Sequence, residues 1–307
     1  MMKIENLSKR YGREKSLGIE DVSFSVNNAE IVGFVGLNGA GKTTTIRVAC
    51  GVALPSSGTV EIEGHDVVVE KQKASEQIGW VPEFPSFDQN ARAKNLLLYF
   101  AGYRHISRDI AEKRARDLFQ QLELSGQENK KLRDYSQGMK KRFSLALSLL
   151  PDPNNFLFDE VLNGLDPQGI QFLRSLLTDL KKQGKSILLS SHILSEVETI
   201  SDRIVFIHRG RVIKIVTRSE LRTIEESTST LRMTIPNIND EGLYYLRTLG
   251  AVAVEDGIQI VLSDFHVDPS IISTELVKRG FLIRQFSIDK SSLEEYFFTL
   301  VGERRAA

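Results

Sequence analysis

The feature that most constrains this chain is the loop Gly36-Leu37-Asn38-Gly39-Ala40-Gly41-Lys42-Thr43, set between an apolar run and a helical pattern. Residues 30–35 read as a short buried strand ending at Gly36, and a helix carrying Ile46, Val48 and Ala49 begins within the loop. Gly36 and Gly41 enclose four residues, and a lysine and a hydroxyl residue follow. In a strand-to-helix turn this spacing lets successive backbone amides converge on phosphate oxygens. The helix N-terminus adds a partial positive charge. Lys42 is placed to reach β- and γ-phosphates, and Thr43 offers a hydroxyl to Mg²⁺. Leu37, Asn38, Gly39, Ala40 and Thr44 complete the stretch of backbone around the phosphates.

The rest of the chain repeats the strand and helix alternation. Strands read at 2–7, 20–26, 59–62, 78–81, 156–159, 186–189 and 203–208, separated by helices such as 109–122, 137–150 and 169–182. That order predicts an α/β core with one largely parallel sheet. Past Ser219 the texture changes to a short helix at 220–226 and the polar run Ser227-Thr228-Ser229-Thr230, so two domains are expected, 1–226 and 227–307. The second reads as strand 231–235, helix 240–249, strands 251–255 and 258–262 around Asp256-Gly257, helix 269–279, strand 281–287 and a closing helix 291–301. This is the βαββαβ order of a small ferredoxin-like α+β unit.

Composition narrows the function. With 40 Lys+Arg against 40 Asp+Glu, no whole-chain field would hold nucleic acid or an anionic bilayer. The short runs Lys130-Lys131 and Lys140-Lys141-Arg142 read as solvated faces, and no nucleic-acid partner is expected. Cys50 stands alone, which rules out an intrachain disulfide or cysteine zinc site and fits a small core residue in a reducing cytoplasm. The first residues are polar, and the apolar stretch 95–101 is far below the ~20 residues that cross a bilayer. A cytoplasmic protein is expected, held at any membrane by something else.

Phe156-Leu157-Phe158-Asp159-Glu160 is a buried strand delivering two acids at its carboxyl end, where ligands bind in parallel sheets. Asp159 would orient Mg²⁺ and Glu160 would polarise an attacking water as a general base.

With these motifs in order, residues 2–220 resemble the ATP-binding subunits of ABC transporters. Tyr11 stands where that family places an aromatic ring against adenine. Tyr135-Ser136-Gln137-Gly138-Met139 resembles the signature loop, Leu162-Asn163-Gly164-Leu165-Asp166 the D-loop, and His192 the switch histidine. The resemblance implies a P-loop NTPase fold with a helical signature subdomain. It also implies that Ser136 and Gly138 complete the ATP site of a second copy or of a paralogous ATPase, so that ATP joins two subunits and hydrolysis releases them.

The departures are specific. Gln137 replaces a glycine and cannot reach positive φ cheaply, Met139 replaces a glutamine, and Glu83 replaces the Q-loop glutamine as an oxygen ligand for Mg²⁺. With the C-terminal appendix, whose end Ser292-Leu293-Glu294-Glu295-Tyr296-Phe297-Phe298 resembles a terminal helix seen there, these features resemble ATPases of ABC-2-type exporters. That resemblance implies a separate transmembrane permease, a peripheral position on the inner face of the membrane, and a coupling surface around 84–103 with Phe84, Phe87, Tyr99 and Phe100. The alternative is a soluble ABC-type ATPase serving ribosomes, nucleic acid or cofactor assembly.

Overall fold

The computed structural model describes residues 1–12, 16–227, 229–289 and 293–302. Two compact units divide between Val216 and Thr217. In chain order the first holds β1 (Met2–Tyr11), β2 (Ser16–Val26), β3 (Ile31–Val35), α1 (Lys42–Ala49), β4 (Ser57–Ile62), β5 (His65–Asp66), α2 (Lys71–Glu76), β6 (Ile78–Val81), α3 (Ala93–Tyr103), α4 (Arg108–Gln121), α5 (Gln137–Leu149), β7 (Asn155–Asp159), α6 (Pro167–Lys182), β8 (Ser186–Ser191), α7 (Leu194–Ile200), β9 (Arg203–His208) and β10 (Arg211–Thr217).

These strands form two sheets where one was expected. β9, β3, β8, β7 and β6 pair in parallel, with β10 beside β9 at the edge. The early strands instead make a separate antiparallel sheet, β2-β1-β4-β5. Burial explains the division. Every residue of β3, β7 and β8 is buried, as central parallel strands covered on both faces must be. In β1, Met2, Ile4 and Leu7 are buried while Glu5 and Asn6 are exposed, so this sheet keeps one face wet.

Side chains alternate across the parallel sheet. Val32, Phe34, Leu157 and Leu188 join the core formed with α1 and the antiparallel sheet, whereas Ile31, Phe156, Phe158, Ile187 and Leu189 join a second core with α3 to α6. Truncating a fully buried ring such as Phe156 to alanine would cost about 3–5 kcal/mol. Between β6 and β7, helices α3, α4 and α5 gather around Phe143, whose ring meets Phe87 at 5.3 Å, Tyr135 at 6.2 Å and Phe119 at 6.5 Å. Tyr135 donates its hydroxyl to the Gln127 carbonyl at 2.9 Å, and burial pushes its phenol up to about 12. The chain entering α5 is thereby fixed.

The second unit holds α8 (Arg218–Ser227), β11 (Thr230–Thr234), α9 (Asp240–Leu249), β12 (Ala251–Glu255), β13 (Gln259–Ser263), α10 (Pro269–Lys278), β14 (Gln285–Asp289) and α11 (Leu293–Val301). Its antiparallel sheet runs β12-β13-β11-β14, the split arrangement expected of βαββαβ. Leu231, Met233, Ile260 and Leu262 pack with Leu246 of α9 and Ile272 and Leu276 of α10. Asp256 and Gly257 turn the hairpin at φ of 50° and 73°. β14 starts later than the expected residue 281, because Phe281 is drawn into this core. Thr228 of the polar run and Ser291 and Ser292 of the closing helix lie outside the described residues.

Candidate functional site

Register brings three strand ends level: Val35 pairs with Ser191, and Asp159 with Ser190. The loops leaving β3, β7 and β8 therefore open on one edge, the carboxyl end of the sheet. Gly41, at φ 113°, could not carry a side chain, since a Cβ would lie 2.6 Å from Ile19 Cγ2 and 3.0 Å from the Gly18 carbonyl. No side chain caps the N-terminus of α1, so its first amides face the loop.

Lys42 folds back over this loop. Its ammonium donates to the carbonyls of Gly36 (2.6 Å) and Leu37 (3.3 Å) and lies 3.0 Å from Glu160 Oε1. The other carboxylate oxygen of Glu160 is 2.9 Å from His192 Nδ1. Beside them, Thr43 Oγ1 and Ser190 Oγ both donate to Asp159 Oδ1, at 3.1 and 2.8 Å. Ser190 Oγ also accepts from the Glu160 amide at 3.0 Å. Glu160 is held at φ 49°, a conformation costing a non-glycine residue about 1–2 kcal/mol.

Electrostatics is crowded here. Burial raises the Asp159 pKa, with the Glu160 charge adding to it and the hydrogen bonds from Ser190 and Thr43 opposing. Burial likewise raises Glu83, reinforced by Glu160 and Asp159 and opposed by Lys42 and His192. Burial lowers Lys141 while Glu83 and Glu160 pull it up. Burial, then the Asp159 charge, raises the thiol of half-buried Cys50, which packs against the core as expected.

A cleft of about 460 Å³ opens over these groups, lined by Asn38, Gly39, Gly41, Lys42, Thr43 and Thr44 of the loop and by Tyr11, Leu17, Gly18, Glu83 and Glu160. Ala40 is buried beneath it. Tyr11 reaches the rim, its ring 5.1 Å from the Lys9 ammonium. The signature residues are elsewhere. Ser136 caps α5 by accepting from the Met139 amide at 3.2 Å, and neither it nor Gly138 lines the cleft. Gln137 is the first residue of α5, so the positive φ it would resist is not demanded of it.

Three contributors escaped the sequence. Ser190 was legible only as a strand end, although a hydroxyl closing an apolar strand beside an acid is a usable signal. Leu17 and Gly18 carried none. The Lys140-Lys141-Arg142 run is not a solvated face: Lys141 donates to the carbonyls of Val161, at 3.1 Å, and Asn163, while Arg142 pairs with Glu123 and lies 5.2 Å from the Phe172 ring. Packing against neighbouring elements, invisible in a charge pattern, draws both inward.

Residues 19–163 match the family model described as ABC transporter. The chain is 33% identical over 317 residues to the bacitracin transport ATP-binding protein BcrA of Bacillus licheniformis, covering 98% of this chain and 97% of that one. It is 31% identical over 312 residues to the uncharacterized ABC transporter ATP-binding protein YhcH of Bacillus subtilis, covering 99% and 97%. A solved structure described as an ATP binding subunit of an ABC transporter superposes with TM-score 0.68 at 30% identity, over 73% of this chain and 92% of that one. Fold, phosphate loop and near full-length similarity agree: the chain belongs to the ABC transporter family, as an ATP-binding, ATP-hydrolysing subunit.

Proposed function

We propose that this protein drives export through a separate membrane permease, by ATP-dependent pairing with a second copy of itself or with a related ATPase. The observation that carries the proposal is the continuous set Lys42, Glu160 and His192 at the mouth of a strand-to-helix phosphate loop. In it Lys42 and the α1 amides bind the β- and γ-phosphates. Glu160 polarises the attacking water, with His192 orienting its carboxylate. Tyr11 stacks on the adenine.

The oxygen donors suit Mg²⁺. Thr43 and Asp159 are already joined, and Glu83 adds a carboxylate whose proton affinity is raised by burial and then by the charges of Glu160 and Asp159, a crowding that a divalent cation would relieve. Among the described residues no three His, Cys, Asp or Glu side chains form a cage of their own. That fits an ion held by one or two carboxylates and by nucleotide phosphates, whose charge it neutralises.

Pairing is supported by Ser136 and Gly138. A Cβ at Gly138 would meet nothing closer than Ser136 Oγ at 3.9 Å, so packing within this chain does not call for glycine there. A phosphate presented by a second subunit does. Permease contact is assigned to a groove of about 280 Å³ lined by Trp80, Pro82, Phe87, Phe100, Arg104 and Leu147. Phe84 and Tyr99, which are 82% and 69% exposed, stand available for contact, whereas Phe87 is partly spent on Phe143. No helix among the described residues is long and apolar enough to cross a membrane, and attachment is assigned to the permease. Support for a transport role comes from the relative named for bacitracin transport, and support for export from a relative in Burkholderia orbicola named Nod factor export ATP-binding protein I, 36% identical over 208 residues.

Two measurements test the proposal. Glu160→Gln should lower ATP turnover by roughly 10²–10⁴-fold while ATP still binds. The tagged chain should be recovered from membranes with a multi-spanning protein. Undiminished turnover, or recovery with ribosomes or nucleic acid, would oppose it.

A further inference from the structure

The backbone turn from which Glu160 projects is closed partly from outside. Within the turn, the Asn163 amide donates to the Glu160 carbonyl at 3.1 Å. The next outward-facing carbonyls, those of Val161 and Asn163, both accept from one ammonium, that of Lys141 on α5. Asn163 Oδ1 is buried and has no hydrogen-bond partner among the described residues, so that side chain adds nothing to the closure. Ser190 holds Glu160 on its amide side, and Lys141 holds the chain on its carbonyl side. Glu160 sits at φ 49°, a costly conformation for a glutamate, so its backbone leans on these two restraints while Lys42 and His192 hold the carboxylate itself.

Lys141 also stands three residues after Gly138, on the same face of α5. A hydrogen bond from a half-buried cation is stronger than a neutral one, so α5 and the turn are tied together. We propose that Lys141 is a positioning residue for hydrolysis: it fixes the turn that aims Glu160 and makes that aim depend on the placement of α5. It does not line the nucleotide cleft, and the inference rests on Glu160 being the group that polarises water.

The test uses the full chain, with ATP turnover, KM and melting temperature measured for wild type, Lys141→Met, Lys141→Arg, Lys141→Gln and Glu160→Gln. Lys141→Met should lower kcat by roughly 10–100-fold, the scale of a misplacement of about 1 Å at a reacting centre. KM should stay within about twofold, because binding contacts are untouched. Lys141→Arg, which keeps the charge and donors, should recover most of the loss. Wild-type kcat in Lys141→Met, a KM that rises in step with the loss, or no recovery in Lys141→Arg would overturn the proposal. If Lys141→Met does not fold, Lys141→Gln decides: an intermediate kcat at unchanged KM supports the tie, and a wild-type kcat refutes it. Glu160→Gln separates the two readings, since its turning over like wild type would sink the role of Glu160 itself.

Discussion

Lys42 Nζ lies 3.0 Å from Glu160 Oε1, and each side chain is only 5% exposed. The cation that would grip phosphate and the carboxylate that would polarise water are thus ion-paired with each other. On the proposed function, nucleotide phosphates would compete with Glu160 for Lys42, so binding would also loosen the carboxylate proposed to polarise water. Lys42→Met is expected to weaken ATP binding by about 1.5–3 kcal/mol, the scale of hydrogen bonds to charged groups. It should also lower the stability of the nucleotide-free chain by roughly 1–3 kcal/mol, less than for a fully buried pair because the cleft admits water. Calorimetric titration and denaturant unfolding measure the two; an unchanged stability would mean that the pair is not formed in solution.

Glu83 gives the stability a pH dependence. Burial, with Glu160 and Asp159, raises its pKa in the folded chain. The folded state therefore holds this proton more tightly than the unfolded one. The stability it contributes is full below the ordinary carboxylate pKa and is lost as pH rises through the raised value. Glu83→Gln should melt higher than wild type at about pH 7.5 and lose that advantage below about pH 4. Thermal melts that differ equally at both pH values would contradict this.

Tyr11 rests over Gly18, where a Cβ would come within 2.8 Å of the ring. Tyr11→Ala should weaken ATP binding by about 1–3 kcal/mol, the range for base–aromatic stacking. Gly18→Val, which pushes the ring aside, should shift affinity in the same direction. Titrations showing full affinity in both variants would make Tyr11 ordinary packing.

The phosphate loop and the acids after β7 were legible because each is a local device, a glycine-permitted turn and a strand end. The helix at 240–249 and the strand at 251–255 were read at their observed bounds. The cap at Asn239 and the break at Gly250 mark them in the sequence. The second sheet was not legible, since Ile4 pairs with Val60 and nothing local announces a partner so distant. Ser190 enters the site only through its register beside Asp159, and Lys141 only because α5 packs against the turn after Glu160. Both depend on tertiary contacts that periodicity and charge counts do not encode.

Ser136→Arg tests the signature loop apart from the nucleotide cleft. Ser136 is exposed at the start of α5 and does not line the cleft, so the bulky cation should leave ATP binding by each chain within about twofold. ATP-dependent pairing should disappear, as read by light scattering. Pairing that survives would remove Ser136 from the second subunit's phosphate.

The most direct measurement is sedimentation of Glu160→Gln with Mg²⁺ and ATP over a range of protein concentrations. Arrest of hydrolysis should trap a dimer holding one ATP per chain, which ADP does not support. Chains that bind ATP fully yet remain monomeric at every concentration would contradict the account.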